Sequence, residues 1–319
     1  MQRFVALKWR VLCLVFLFQI SHAVAAGADG AAIASAHPLA TRAGMEVIAQ
    51  GGNAFDAAIA VAASLAVVEP YSSGLGGGGF FLLDRVKDKR RVMVDARETA
   101  PGNISRGQYF DADGKPLRGA TTQGGTSVGV PGLPAGLVHL ASRYGGIPLS
   151  QSLAPAIRLA RDGFPLDPRF ARVAKLRERA LQQGIGTSVY LDGGKAPEPG
   201  YLLKQPALAA TLERLAREGL DGFYRGPVAR AIVDSVNAQG AHWTADDLAG
   251  YRVVEREPLS MTFRGATVTT ASLPSGGGVA LVQALAMLES HKLGDTREPA
   301  TSHLVVEALW RAFRDRALY

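Results

Sequence analysis

With 319 residues, the chain has material for one large domain or two ordinary ones, and enough for a packed core. Hydrophobic residues make up 47% and charged residues 20%, the profile of a soluble globular protein. The formal charge is +7, and outside the N-terminal segment the basic excess is scattered (Arg158, Arg161, Arg177, Arg179, Arg214, Arg217) at the spacings of solvated helix faces, with nothing like an aromatic-interleaved nucleic-acid patch.

Residues 1–26 have the layout of a secretory signal peptide. Cations stand at Arg3, Lys8 and Arg10, an apolar run covers 11–18, and small residues follow with A-x-A at Ala23-Val24-Ala25. The apolar run is shorter than the roughly 20 residues a membrane span needs, so cleavage is expected and no stable span after it. Cleavage takes the formal charge from +7 to +4 and removes Cys13, the one cysteine, leaving a mature region 27–319 without thiol or disulfide.

Between 38 and 68 the pattern is helical. Ala43, Val47 and Ile48 share a face of a first helix, Gly51-Gly52-Asn53 break it, and an alanine-rich second helix runs from Asp56 to about Val68. Its small side chains suit close packing in the interior. A crowd of glycines (Gly74, Gly76, Gly77, Gly78, Gly79) then opens into Phe80-Phe81-Leu82-Leu83. A charged turn at Lys87-Asp88-Lys89-Arg90 leads to Val92-Met93-Val94, which ends at Asp95-Ala96-Arg97-Glu98. Two strands joined by a polar hairpin loop are predicted.

Further on, Asp113-Gly114 marks a turn and 119–127 a polar loop. Helices are predicted over 133–144, 148–161, 167–183, 206–218 and 226–237, with a turn-rich loop at 192–200. Thr244 has the chemistry of an N-cap for a short helix before Tyr251. Strands over 253–265 and 266–271 precede a helix over 279–289. In the last segment Val306, Leu309, Trp310 and Phe313 follow helical spacing, and with no stop signal after them the chain is expected to be a fragment of a longer protein.

Several chemical motifs present themselves and most fall away. Gly74-Leu75-Gly76-Gly77-Gly78-Gly79 satisfies G-x-G-x-x-G, but a dinucleotide fingerprint needs a strand before it and a helix after it, and this chain offers the reverse. Gly114-Lys115 and Gly194-Lys195 run into Pro116 and Ala196, so no phosphate-binding loop forms there. The histidines His37, His139, His242, His291 and His303 are isolated, with no zinc-ligand spacing. Ser275, in Pro274-Ser275-Gly276-Gly277-Gly278, is outside any G-x-S-x-G elbow and is expected in a tight glycine turn. Arg97 is the sharper candidate: an arginine closing a strand beside a glycine cluster can hold a carboxylate through its planar fork. On spacing alone, a structural salt bridge with Asp95, Glu98 or a distant acid competes with that reading.

The stretches GMEVIAQGGNAFDAAIAVAASLAVVEP (44–70), GLGGGGFFLLDR (74–85), VDARETAP (94–101), LARDGFPL (159–166), FYRG (223–226), DDLAGYRVVEREPL (246–259) and LPSGGG (273–278) together resemble the large subunit of γ-glutamyltransferases (γ-glutamyltranspeptidases, glutathione hydrolases). The resemblance covers nearly all of the chain after residue 30. It implies an α/β (α+β layered) fold, an αββα sandwich of the N-terminal nucleophile hydrolase type, incomplete here because a strand-rich small subunit is absent. It also implies a precursor that cleaves itself in two, exposing a threonine whose own α-amine serves as base for attack on a γ-glutamyl amide. That threonine is expected beyond residue 319; Thr301-Ser302-His303 only superficially resembles its motif. Arg97 takes the place of the arginine that holds the α-carboxylate of the γ-glutamyl group.

The expectation is therefore the large-subunit part of a periplasmic or secreted γ-glutamyltransferase/glutathione hydrolase precursor. Its partners would be γ-glutamyl substrates such as glutathione and the small subunit of the same precursor, and neither cofactor nor metal is implied. The alternative is a non-catalytic exported binding protein that keeps the grip on γ-glutamyl compounds without the chemistry.

Overall fold

A computed structural model of the protein describes residues 30–318. The secretory segment expected at 1–26, with Cys13, lies outside the described residues. The described residues form two compact units, one from 30–74 with 137–222 and one from 75–136 with 223–318.

The first unit is mostly helical. Its opening helix, Pro38–Ala49, begins with proline at the first position, where no amide hydrogen is needed, and is capped by His37, whose Nδ1 accepts from the Leu39 amide at 3.1 Å. The second helix, Ala54–Val68, starts on a reciprocal capping box. Asn53 Oδ1 accepts from the amides of Phe55 and Asp56, and Asp56 Oδ2 accepts from the Asn53 amide at 2.9 Å. As the alanine content implies, this second helix is interior: Ile59, Ala60, Ala63 and Val67 are wholly buried. It packs on Pro38–Ala49 and also on Leu149–Asp162, which in turn packs on Pro206–Glu218. Gln205 ties the set together, its amide nitrogen donating to the Ala160 carbonyl and its side chain to the Val67 carbonyl, both at 2.8 Å. Pro168–Leu181, capped by Asp167, and a two-residue pairing of β3 (Phe164–Pro165) with β4 (Leu202–Leu203) complete the framework.

The second unit holds the hairpin. β1 (Gly79–Arg85) pairs antiparallel with β2 (Arg90–Ala96), in a register that places Gly79 opposite Ala96 and Arg85 opposite Arg90. β5 (Val254–Arg256) adds to the other edge of β2, so β2 is central, and its residues from Val92 to Ala96 are buried. β6 (Leu259–Phe263) and β7 (Ala266–Thr270) form a separate hairpin, turned by Arg264 and Gly265 at φ of 51° and 79°. The strand predicted over 253–265 is thus two strands in two sheets. Pro258, which has no amide hydrogen to give a ladder, lies between them.

Two helices build a hydrophobic cluster in this unit. Gly276–Glu289 contributes Ala280, Ala284 and Leu288, and Pro299–Leu318 contributes Ala308 and Ala312, with Phe263 against them. The first begins earlier than its periodicity suggested, at Gly276. Ser275 is its N-cap residue, and its amide also closes a turn by donating to the Ser272 carbonyl at 3.0 Å, with the glycines that follow lying in the helix. The last helix forms where predicted, but the stripe that announces it is not the face it buries: Val306, Leu309, Trp310 and Phe313 are all exposed, and small residues pack instead. Seven strands are described, in one three-stranded and two two-stranded sheets, which is the mixed, incomplete α/β architecture expected.

Candidate functional site

Arg97 follows β2 directly, and its main chain is held from three sides within the second unit. Its amide donates to Asp95 Oδ1 at 3.1 Å. Its carbonyl accepts from the Tyr251 hydroxyl at 2.8 Å. Gly78 crosses the 96–98 backbone so closely that a Cβ there would collide with the Ala96 carbonyl and stand 2.8 Å from the Glu98 nitrogen. The glycine crowd before β1 therefore serves backbone against backbone, with a strand after it.

Asp95 itself is nearly buried, and its second oxygen accepts from Arg256 Nε at 2.9 Å across the β2–β5 pairing. This settles which acid competes for Arg97. Asp95 is taken by Arg256, and Arg97 Nε donates to Glu98 at 3.1 Å. The Arg97 side chain remains 58% exposed, with its guanidinium carbon 6.0 Å from the centre of the Phe80 ring. An ion pair between such solvent-facing neighbours contributes about 0–1 kcal/mol, so an incoming carboxylate meets little resistance from it. The arrangement is an open cationic fork over an aromatic face, with its backbone fixed.

Tyr251 belongs to a larger clamp. Its ring stacks on Tyr224 with centroids 5.5 Å apart and planes 10° from parallel. The Tyr224 hydroxyl donates to the Pro131 carbonyl at 2.8 Å and accepts from the Ala135 amide at 3.1 Å. Gly132, between those two, donates to the Gly77 carbonyl, and a Cβ on it would meet both the Ala96 carbonyl and the Tyr251 hydroxyl. Burial, and then the carboxylates of Asp95 and Glu98, push the Tyr251 phenol well above its usual range. Burial does the same for Tyr224.

The other residues singled out from sequence have structural places. Thr301 and Ser302 lie in the last helix, where Thr301 Oγ1 accepts from the Gly294 amide and the Ser302 hydroxyl donates to the Thr296 carbonyl. His37 is buried in the first unit as a helix cap, with Nε2 3.7 Å from Asp167 Oδ2. Burial lowers its pKa against the opposing pull of Asp167 and Glu69, and Arg42 lowers it further. Nearby, buried Glu69 accepts from the Tyr71 hydroxyl at 3.3 Å and pairs with Arg169 at 3.6 Å. Burial and Glu69 raise the Tyr71 phenol to about 12. Among the described residues no group of three or more His, Cys, Asp or Glu side chains is placed to hold a metal ion. No described helix is long and apolar enough to cross a membrane.

Sequence reasoning located Arg97 but missed its supports. Tyr224 and Tyr251 sit in two of the stretches that carry the family resemblance, FYRG and DDLAGY, yet nothing in their spacing says that they meet each other or the 96–97 backbone.

Comparison with known proteins bears on all of this. Residues 40–319 match the family model described as Gamma-glutamyltranspeptidase. The glutathione hydrolase proenzyme of Bacillus subtilis (strain 168) is 36% identical over 297 residues, which are 92% of this chain and 50% of that protein. The acylase ACY 1 proenzyme of Pseudomonas sp. (strain SE83) is 37% identical over 303 residues, 92% of this chain and 54% of that protein. The crystal structure of Helicobacter pylori gamma-glutamyltranspeptidase superposes with a TM-score of 0.87 at 34% identity, covering 90% of this chain and 83% of that one. The chain spans about half the length of the curated relatives it matches.

Proposed function

The chain belongs to the gamma-glutamyltranspeptidase family, and on that premise we propose that it is the scaffold and donor-binding part of an exported γ-glutamyltransferase/glutathione hydrolase proenzyme. Arg97 holds the α-carboxylate of the γ-glutamyl donor through charge-assisted hydrogen bonds. The γ-carbonyl is thereby aimed at a threonine supplied by sequence beyond residue 319. The threonine oxygen forms an ester to the γ-carbonyl carbon as the amide bond breaks and the amine leaves with a proton. Water or an amino acid then takes the γ-glutamyl group and restores the threonine. Export to the periplasm or the medium rests on the charge and apolar layout of 1–26.

The observation that carries this reading is the state of Arg97. Its main chain is pinned at both the amide and the carbonyl while its guanidinium stays exposed, because Arg256 occupies Asp95 in its stead. The test is Arg97→Lys in the full-length protein, assayed with γ-glutamyl-p-nitroanilide. A point charge cannot reproduce the fork, so KM for the donor should rise by about tenfold or more. Unchanged donor kinetics would overturn the assignment.

A further inference from the structure

Resting on that reading of Arg97, we propose that Tyr251 is a positioning residue for the donor site: its hydroxyl, bonded to the Arg97 carbonyl, fixes the peptide from which the guanidinium projects. An arginine side chain turns about several single bonds, and this one is exposed, touching Glu98 at Nε and lying over the Phe80 ring, so its reach depends on where its main chain is anchored. The aim of the fork is then set by the main chain at residue 97. That peptide follows the last paired residue of β2, Ala96, and has lost the support of the strand ladder. Asp95 holds its amide side; the carbonyl side, which also leads into Glu98 and its contact with Arg97 Nε, is held by Tyr251.

Tyr251 is built for this task. Its ring cannot swing away, because it lies flat against Tyr224, whose own hydroxyl is bonded at both Pro131 and Ala135. Gly132 leaves the space that lets the hydroxyl reach the 96–97 backbone. The raised phenol pKa keeps that hydroxyl protonated, hence a donor, through neutral and mildly alkaline pH. Tyr251 touches no reacting atom; it acts through Arg97.

The test is Tyr251→Phe in the full-length protein, alone and combined with Arg97→Met. Phenylalanine keeps the stack and removes the single bond at issue. Displacements of about 1 Å at a binding group are enough for large losses, so KM for γ-glutamyl-p-nitroanilide should rise by about three- to tenfold, with kcat within about twofold of the parent. In the Arg97→Met background the same change should add nothing, because the two act as one unit. Hydrolysis of the analogous donor lacking the α-carboxylate should be indifferent to Tyr251→Phe. A loss that multiplies through both backgrounds, or that falls equally on both donors, would mean a general structural role and overturn the proposal. A silent Tyr251→Phe beside an impaired Arg97→Met would overturn it while leaving the reading of Arg97 intact. A silent Arg97→Met would overturn that reading and this proposal together.

Discussion

Two buried carboxylates organise the two units, and they are used differently. Asp56, wholly buried in the first unit, accepts with one oxygen from the amides of Asn53 and Gly146, at 2.9 and 2.8 Å. Its other oxygen has no hydrogen-bond partner. Asn53 reaches on to the Tyr144 carbonyl at 2.8 Å, so a helix start and a distant loop are locked into one joint. Asp95 in the second unit likewise accepts from a nearby amide, that of Arg97, but its second oxygen takes a guanidinium from a neighbouring strand. A buried carboxylate that fixes backbone amides is thus a closed structural joint in one place. In the other it is the base of an open one, with a second arginine left facing solvent. The lesson is that rigidity and availability are separable: the backbone of Arg97 is as constrained as that of Asn53, while its charged end is accessible.

The harshest way to break the comparison is Gly132→Ala. The added methyl would meet the Ala96 carbonyl and the Tyr251 hydroxyl, neither of which can move without disturbing the Arg97 backbone. We expect a loss of about 3 kcal/mol or more, as overpacking against backbone allows little relief. Thermal melting of the soluble protein would show it, and a parental melt would mean that the clamp is looser than described. Next in size is Asp56→Ala, which strands the Asn53 and Gly146 amides and should cost about 2 kcal/mol or more in a denaturant titration. This variant should leave the KM for a γ-glutamyl donor unchanged, whereas Asp95→Ala should raise it. Equal effects on KM would erase the distinction between the joints.

The smallest expected effect sharpens the electrostatic side. His37 caps its helix through an unprotonated Nδ1, and burial depresses its folded pKa below the usual 6.5. Because the unfolded chain binds that proton more readily, the contribution of His37 is fully present above about pH 6.5 and declines as pH falls toward the depressed folded value. His37→Asn keeps a capping acceptor that does not titrate. Between pH 7.5 and 5 the parent should therefore lose more Tm than the variant, despite the favourable neighbours Asp167 and Glu69. Parallel profiles would show that His37 does not couple to folding.

Much of the local structure was legible beforehand, for identifiable reasons. Gly51-Gly52-Asn53 stop a helix, and the alternation around Lys87-Asp88-Lys89-Arg90 marks a hairpin, whereas the capping box of Asn53 and Asp56 that starts the next helix at Ala54 emerged only from the structure. Arg97 could be singled out because it ends a strand beside glycines and matches a family motif. Other readings failed where local pattern and packing diverge. Periodicity over 253–265 could not reveal that Pro258 separates strands belonging to different sheets. In the last helix the large apolar residues mark the period correctly, yet Ala308 and Ala312 face the neighbouring helix, since small residues permit the closer approach.

The sequence by itself determined the family, the order and extent of most helices, the hairpin that ends at Arg97, and the kinds of side chain available to bind a carboxylate. Only the tertiary structure decided that Arg256 comes 161 positions along the chain to occupy Asp95, and that Tyr251 comes 154 positions to hold the Arg97 carbonyl. Composition and spacing record which residues seek the interior or a partner. They carry no address for that partner, because which buried carboxylate meets which guanidinium depends on how helices and sheets from distant segments pack. At this site that choice separates an arginine paired with a nearly buried carboxylate from one paired with a more exposed neighbour, Glu98, and itself open to solvent.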